Sequence, residues 1–487
     1  MPHCRASKLL RKIFLILAFL TPVSLPAFGK EPGALQPYNA AIDESSISGI
    51  SSGAFMAVQF GTAWSSIING VGIVAGGPFY CAQATRSDFW NLYMRPILTA
   101  TGPCMEGPAP NVQRFIAKAD EMAASGAIDP TSNLSRQKIY IFHGFNDTVV
   151  AQPVTDATAE FYRHYLGQEA AGNLFYQVTL GAGHAQVLPE EERFSGLNAC
   201  AVTQSPYINE CGYDQAGVIL QHIYGALNPP NYGELSGTLK SFPQGKYTDD
   251  DEPRSLSMGD IGYVFVPKEC EPERAAPCRV HIALHGCKQD VGDIGQLYVD
   301  DAGYNAWADT NRIIVLYPQT VTRPLFGMPP QNPQACWDWW SYVTHDDSYV
   351  TKSGKQIKAI KAMLDALTAG SKPGSQNAAA PDGAPGRLIV IDISDTSADL
   401  AWTPVAGAGV YSVSRAEAGG EFAPVGTVSG PSFADNGLNP STSYRWRVAA
   451  RVDGSEASAP LETAASTPAK PTPCKHPGSC PLARASN

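Results

Sequence analysis

The stretch Gly49-Ile50-Ser51-Ser52-Gly53 is the one G-x-S-x-G box in the chain, and the reading of its flanks decides the fold. Ser45-Ser46-Ile47-Ser48 before it can form a short strand, and Ala54 to Trp64 (AFMAVQFGTAW) after it is helix-compatible. Two glycines allow a sharp turn between strand and helix, which exposes a serine hydroxyl and lets neighbouring chains approach. The nascent helix also aims amide N–H groups at developing negative charge. Taken alone, the pentapeptide fits a Gly/Ser turn capping a helix as well as it fits a nucleophile.

A serine nucleophile needs a base, and the base needs an orienting acid. Lys138 to Phe142 (KIYIF) reads as a strand that runs through His143-Gly144-Phe145-Asn146 into Asp147. Functional side chains of α/β sheets sit just past the carboxyl ends of strands, where Asp147 falls; Asp156 competes but lies in the following helix. Leu174 to Leu180 reads as another strand, ending in Gly181-Ala182-Gly183-His184. Small residues there let a loop carry the His184 imidazole toward Ser51. His143 and His285 also follow strands and precede glycine, so they compete as base. Asp147 lies 96 residues and His184 133 residues beyond Ser51, the Ser…Asp…His order of α/β-hydrolases.

The strand Arg279 to Leu284 ends in His285-Gly286-Cys287-Lys288. In α/β-hydrolases an HG-type loop supplies one oxyanion N–H and the residue after the nucleophile supplies the other. Here that loop follows the whole triad instead of preceding it, which a circular permutation explains. Val71 to Ala75 and Arg312 to Tyr317 add two further strands, and helical stretches at Ala54–Ile68, Val112–Ala124 and Thr155–Tyr165 lie between. Alternating strands and helices predict a mostly parallel sheet covered on both faces. The predicted fold is a circularly permuted α/β-hydrolase over residues 30–369.

Residues 370–384, small and Pro/Gly-rich, read as a linker. Beyond it the period changes to short alternating runs at Leu388–Ile393, Ala398–Trp402, Val410–Arg415 and Tyr444–Arg451, the pattern of an all-β sandwich. Leu400-Ala401-Trp402-Thr403-Pro404 and Leu438 to Val448 (LNPSTSYRWRV) make residues 385–467 resemble a fibronectin type III domain. Residues 468–487 form a Pro/Cys tail.

The first 29 residues have the parts of a secretory signal peptide: Arg5, Lys8, Arg11 and Lys12, the apolar run Ile13 to Leu20, and Ser24-Leu25-Pro26-Ala27. Ten of the eleven cysteines follow it, an even number that fits five disulfides in an oxidising compartment. Pairing by proximity gives 81–104, 200–211, 270–278, 287–336 and 474–480. The mature protein is therefore expected to be exported, extracellular or periplasmic, and free of the membrane. A net charge of −10 with no basic cluster argues against a nucleic-acid partner. With no Cys-x2-Cys and no His-Glu-x-x-His, neither a metal nor a cofactor is expected.

Gly49 to Phe60 (GISSGAFMAVQF), Gly72 to Cys81 (GIVAGGPFYC), Leu284 to Gln289 (LHGCKQ) and Cys336 to Trp340 (CWDWW) together resemble the extracellular poly(3-hydroxybutyrate) depolymerases whose serine box precedes the oxyanion segment. The resemblance implies Ser51 as nucleophile, Asp147 as acid, His184 as base and the amides of Ser52 and Cys287 as oxyanion hole. The implied partner is a polyester or oligoester, neutral and apolar, so its groove should be lined by aromatics: Trp339 or Trp337 on one side, Tyr80 on the other. Family members commonly end in a substrate-binding domain, and its place here is taken by the short tail. That points to amorphous polymer, soluble oligomers or another ester as substrate. A feruloyl or acetyl-xylan type of carboxylesterase, and a non-catalytic surface-binding protein, are the two other readings.

Overall fold

The computed structural model describes residues 32–82, 95–189, 196–249, 251–272, 277–324, 331–370 and, with short gaps, 388–467. The expected leader, nearly all of the linker, the tail and the 474–480 pair lie outside the described residues. Among the described residues, eleven strands precede the linker: β1 Ser45–Ile50, β2 Ile68–Val74, β3 Lys138–Phe142, β4 Leu174–Gln177, β5 Gln186–Leu188, β6 Asn198–Ala199, β7 Ile208–Glu210, β8 Thr238–Pro243, β9 Ile261–Val266, β10 Arg279–Leu284 and β11 Ile313–Tyr317. Eight of them form one sheet in the order β4-β3-β2-β1-β10-β11-β9-β8. Neighbours from β4 to β11 run parallel, and β9 and β8 close one edge antiparallel.

The central strands are buried on both sides because apolar residues alternate between two cores. Ile282, Ile314 and Leu316 join one core with Phe55, Phe60 and Phe161. Ala283, Val315 and Tyr317 join the other with Ile219, Tyr304 and Trp307. Burying both faces is what lets these strands read as nearly unbroken apolar runs.

β1 is the exception, since Ser45, Ser46 and Ser48 are buried there. His281 of β10 bridges two of them: its Nδ1 lies 2.7 Å from Ser46 Oγ and its Nε2 2.8 Å from Ser48 Oγ. Burial pushes the His281 pKa down to about 3, so the ring is a neutral clamp that fixes β1 against β10. That clamp sets the register Ser46–His281 through Gly49–Leu284, which carries the serine box and the HG loop to the same sheet edge.

Two expectations need correction, and two strands are additional. The helix after the serine box spans Ser52–Ala63, earlier at both ends than expected, because Ile68 already begins β2. β4 stops at Gln177, short of Leu180, because the Gln177 Oε1 accepts hydrogen bonds from the backbone and hydroxyl of Thr179 and turns the chain. β8 and β9 were not foreseen.

The second part of the chain contains a β12-β13-β16 sheet (Leu388–Ile393, Ser397–Trp402, Ser432–Asn436) and a sheet built on β14 (Val410–Glu417) and β17 (Ser443–Val452) with β15, β18 and β19 (Ala423–Val428, Ser455–Glu456, Leu461–Ser466). Leu400, Trp402, Val413, Tyr444 and Trp446 form its core. The Tyr444 hydroxyl accepts the Asn439 N–H at 2.9 Å, the tyrosine-corner contact of such sandwiches.

Candidate active site

Ser51 occupies the turn between β1 and the helix Ser52–Ala63 with φ 55° and ψ −121°, a strained conformation for a residue with a side chain. The surroundings demand both glycines of the box. A Cβ at Gly49 would lie 2.3 Å from the backbone of Gly53, and a Cβ at Gly53 would lie 2.4 Å from the carbonyl oxygen of His285. The box is therefore a place where three stretches of backbone touch, the close approach expected of a strand–turn–helix elbow.

The segments that carry the candidate acid and the candidate base are zipped together by their backbones. Phe145 N–H donates to Leu180 O at 3.0 Å and Asn146 N–H to Ala182 O at 3.1 Å. A Cβ on Gly144 would fall 2.2 Å from Ala182 O, so only glycine admits this approach. Asp147 Oδ2 consequently lies 2.8 Å from His184 Nδ1. Its other oxygen accepts the N–H groups of Val149 and Val150 at 2.7 and 3.0 Å. Burial raises the Asp147 pKa, but the attraction of His184 and these hydrogen bonds outweigh it and hold the carboxyl below its usual range. Asp147 is thus an ionised acceptor aimed at the imidazole. His184 is held from behind as well, its own N–H donating to Thr203 Oγ1 at 2.9 Å.

The competing residues are engaged elsewhere. Asp156 accepts the Tyr176 hydroxyl at 2.6 Å on the surface. His143 Nε2 lies 2.8 Å from Val150 O. His285 is enclosed beside Thr320 and Trp337, and burial pushes its pKa down to about 4.

With Gly49 opposite Leu284 in the sheet, Ser52 and Cys287 each stand three residues beyond a paired position. Ser52 opens its helix, so its N–H has no intrahelical partner. The Cys287 N–H has no partner among the described residues, whereas its neighbours do: Gly286 N–H donates to Gln289 Oε1 at 2.8 Å and Lys288 N–H to Gln334 O at 2.7 Å. Disulfides join Cys287 to Cys336, Cys81 to Cys104, Cys200 to Cys211 and Cys270 to Cys278, four of the five expected pairs.

Ser51, His184, Gly286 and Cys287 open into one cavity of about 870 Å³. Most of its wall is apolar, with Phe55, Met105, Val149, Val150, Trp339 and Trp340. Trp339 stacks on Phe55 with ring centres 4.1 Å apart. Ser51 Oγ makes no hydrogen bond to a described residue, so serine and imidazole share the cavity without a hydrogen bond between them; such contacts commonly tighten only with substrate. Two expected wall residues are not there. Trp337 is fully enclosed and donates its Nε1–H to His285 O at 3.0 Å, bracing the HG loop from below. Tyr80 turns away to donate to Asp347 Oδ1 at 2.6 Å. Sequence reasoning missed Gln289, whose side chain holds the HG loop; its place in the LHGCKQ stretch was the available signal. Among the described residues there is no cluster of three side chains able to hold a metal, and no helix is long and apolar enough to cross a membrane.

Residues 383–464 match the fibronectin type III domain family. Over 421 residues, 85% of this chain and 77% of the relative, the sequence is 38% identical to the poly(3-hydroxybutyrate) depolymerase of Delftia acidovorans. It is 34% identical to the polyhydroxybutyrate depolymerase of Talaromyces funiculosus, over 72% of this chain and 96% of the relative. Among solved structures, PHB depolymerase from Penicillium funiculosum matches 70% of this chain and 100% of its own with a TM-score of 0.59 at 33% identity. A serine-to-alanine PHB depolymerase complexed with an R3HB trimer gives the same values.

Proposed function

The chain belongs to the poly(3-hydroxybutyrate) depolymerase family, and on that premise we propose that it hydrolyses poly(3-hydroxybutyrate) or its oligomers, with Ser51, His184 and Asp147 as catalytic triad. The observation that carries the assignment of roles is the 2.8 Å Asp147–His184 pair, whose imidazole lines the same apolar cavity as the strained Ser51. Hydrogen bonding of Nδ1–H to an ionised Asp147 leaves Nε2 unprotonated and able to accept the Ser51 proton.

Ser51 Oγ attacks the ester carbonyl as His184 takes its proton. The carbonyl oxygen becomes negative and is met by the amides of Ser52 and Cys287, which need no reorganisation because sheet and helix already fix them. His184 returns the proton to the departing alcohol, leaving an acyl-serine. A water deprotonated by His184 then releases the hydroxyacid. The apolar wall with Phe55 and Trp339 suits a chain without charges. The four disulfides and the basic, then apolar, N-terminus support export to an oxidising compartment, outside the cell or in the periplasm.

The test is product release from an amorphous poly(3-hydroxybutyrate) suspension by the wild type and by Ser51→Ala, with covalent capture of Ser51 by a serine-directed phosphonate. 3-Hydroxybutyrate and its oligomers should appear with the wild type alone. Turnover by Ser51→Ala would refute the triad, and activity confined to feruloyl or acetyl esters would refute the polyester substrate.

A further inference from the structure

We propose that Gln289 is a positioning residue that locks the oxyanion loop and the base-bearing loop into one unit. This rests on the triad and oxyanion roles above.

Gln289 is buried at 1% exposure, yet each end of its amide is used. Oε1 accepts the Gly286 N–H at 2.8 Å. Nε2 donates to the carbonyls of Pro206 and Tyr207, at 2.9 and 3.0 Å. The first contact has a directional consequence. Of three successive amides, Gly286 is taken by Gln289 and Lys288 by Gln334 O, so the Cys287 N–H between them is held with no described partner and stays available to an oxyanion.

The second contact reaches the base. Tyr207 O, which accepts from Gln289, also accepts the N–H of Gln186, two residues beyond His184. Tyr207 sits at φ 56°, a left-handed conformation that needs such support. The same segment supplies Thr203 Oγ1 to the His184 N–H and Cys200 O to the Gly183 N–H. It is closed on itself by the Cys200–Cys211 disulfide. A single side-chain amide therefore connects the donor of the oxyanion hole to the platform beneath the imidazole. The two loops come from opposite sides of the serine box in the sheet order, and the distance from His184 to Cys287 depends on what joins them.

Only a group that accepts at one end and donates at the other does this. Gln289→Leu removes both contacts. Gln289→Glu is nearly isosteric and keeps the acceptor; it regains a donor only when protonated. Both variants and the wild type are assayed on a soluble chromogenic butyrate ester across pH 5 to 9, with thermal unfolding in parallel. The expected result is a kcat roughly 10²-fold below wild type for Gln289→Leu, with KM within about threefold, the size of effect set by one misplaced oxyanion donor. For Gln289→Glu, the kcat relative to wild type at the same pH should rise as pH falls. If Gln289→Leu does not fold, Gln289→Glu decides alone. A pH-independent ratio for Gln289→Glu, or a folded Gln289→Leu with wild-type kcat, overturns the proposal. Failure of the triad itself would appear separately, as turnover by Ser51→Ala.

Discussion

Asp147 Oδ2 stands 2.8 Å from His184 Nδ1 while its partner oxygen holds two backbone N–H groups, so the carboxylate accepts on both sides and has no donor role to fill. Asp147→Asn keeps the shape but not the logic. Its oxygen will turn to the Val149 and Val150 amides, leaving NH₂ toward the ring. His184 must then accept at Nδ1 and carry its proton on Nε2, facing the serine. We expect kcat to fall by about 10⁴ with KM and thermal stability little changed, read by steady-state kinetics and a melting curve.

Gly286 sits where a side chain would crowd its neighbours. A Cβ there would be 3.3 Å from Ser51 Cβ and 2.9 Å from Gln289 Oε1. Gly286→Ala should move the oxyanion amide and slow both ester turnover and phosphonate labelling by about 10²- to 10³-fold in a folded protein. Gly53→Ala is a different lesion, because its Cβ meets the His285 carbonyl at 2.4 Å, backbone against backbone. It should lower the yield of folded protein as well as activity.

The paired tryptophans separate binding from packing. Trp339 lines the cavity and stacks on Phe55; Trp337 is sealed beneath the HG loop. Trp339→Ala should raise KM for oligoesters at least several-fold. Trp337→Ala should cost about 3–5 kcal/mol in denaturant unfolding, with its activity loss following the fraction folded. A Trp337→Ala variant of unaltered stability would contradict the packing role.

Asp338, between them, supplies a pH signature. Its carboxyl is deeply buried, and burial pushes its pKa up to about 7, against three backbone N–H groups that pull it down. The folded protein therefore holds this proton more tightly than the unfolded chain does. Stability contributed by the neutral acid is complete below about pH 4 and is lost as pH rises toward 7. Asp338→Asn should remove a slope of up to about 1.4 kcal/mol per pH unit across that window, measured by denaturant titration at several pH values.

Much of the architecture is legible in the sequence because parallel strands buried on both faces are continuous apolar runs. Lys138–Phe142 and Arg279–Leu284 end where the sequence places them. β8 escapes, since Thr238, Lys240 and Ser241 interrupt its apolar residues at a half-exposed edge. Ser51, Asp147 and His184 stand out as candidates because each follows a stretch that reads as a strand. Composition cannot say which way a side chain faces, so Trp337 and Tyr80 look like wall residues until the Trp337 Nε1–H is found on His285 O and the Tyr80 hydroxyl on Asp347. Gln289 stays hidden for a related reason: its partners at 206 and 207 lie far away in sequence, and an amide carries no mark of the carbonyls it will meet.

The adjacency of β1 and β10 also bears on biosynthesis. A chain leaving the ribosome presents Ser51, Asp147 and His184 well before the segment that carries Cys287, the proposed oxyanion donor. Until Arg279–Leu284 is synthesised, β1 lacks the parallel neighbour that brings the HG loop to the serine box.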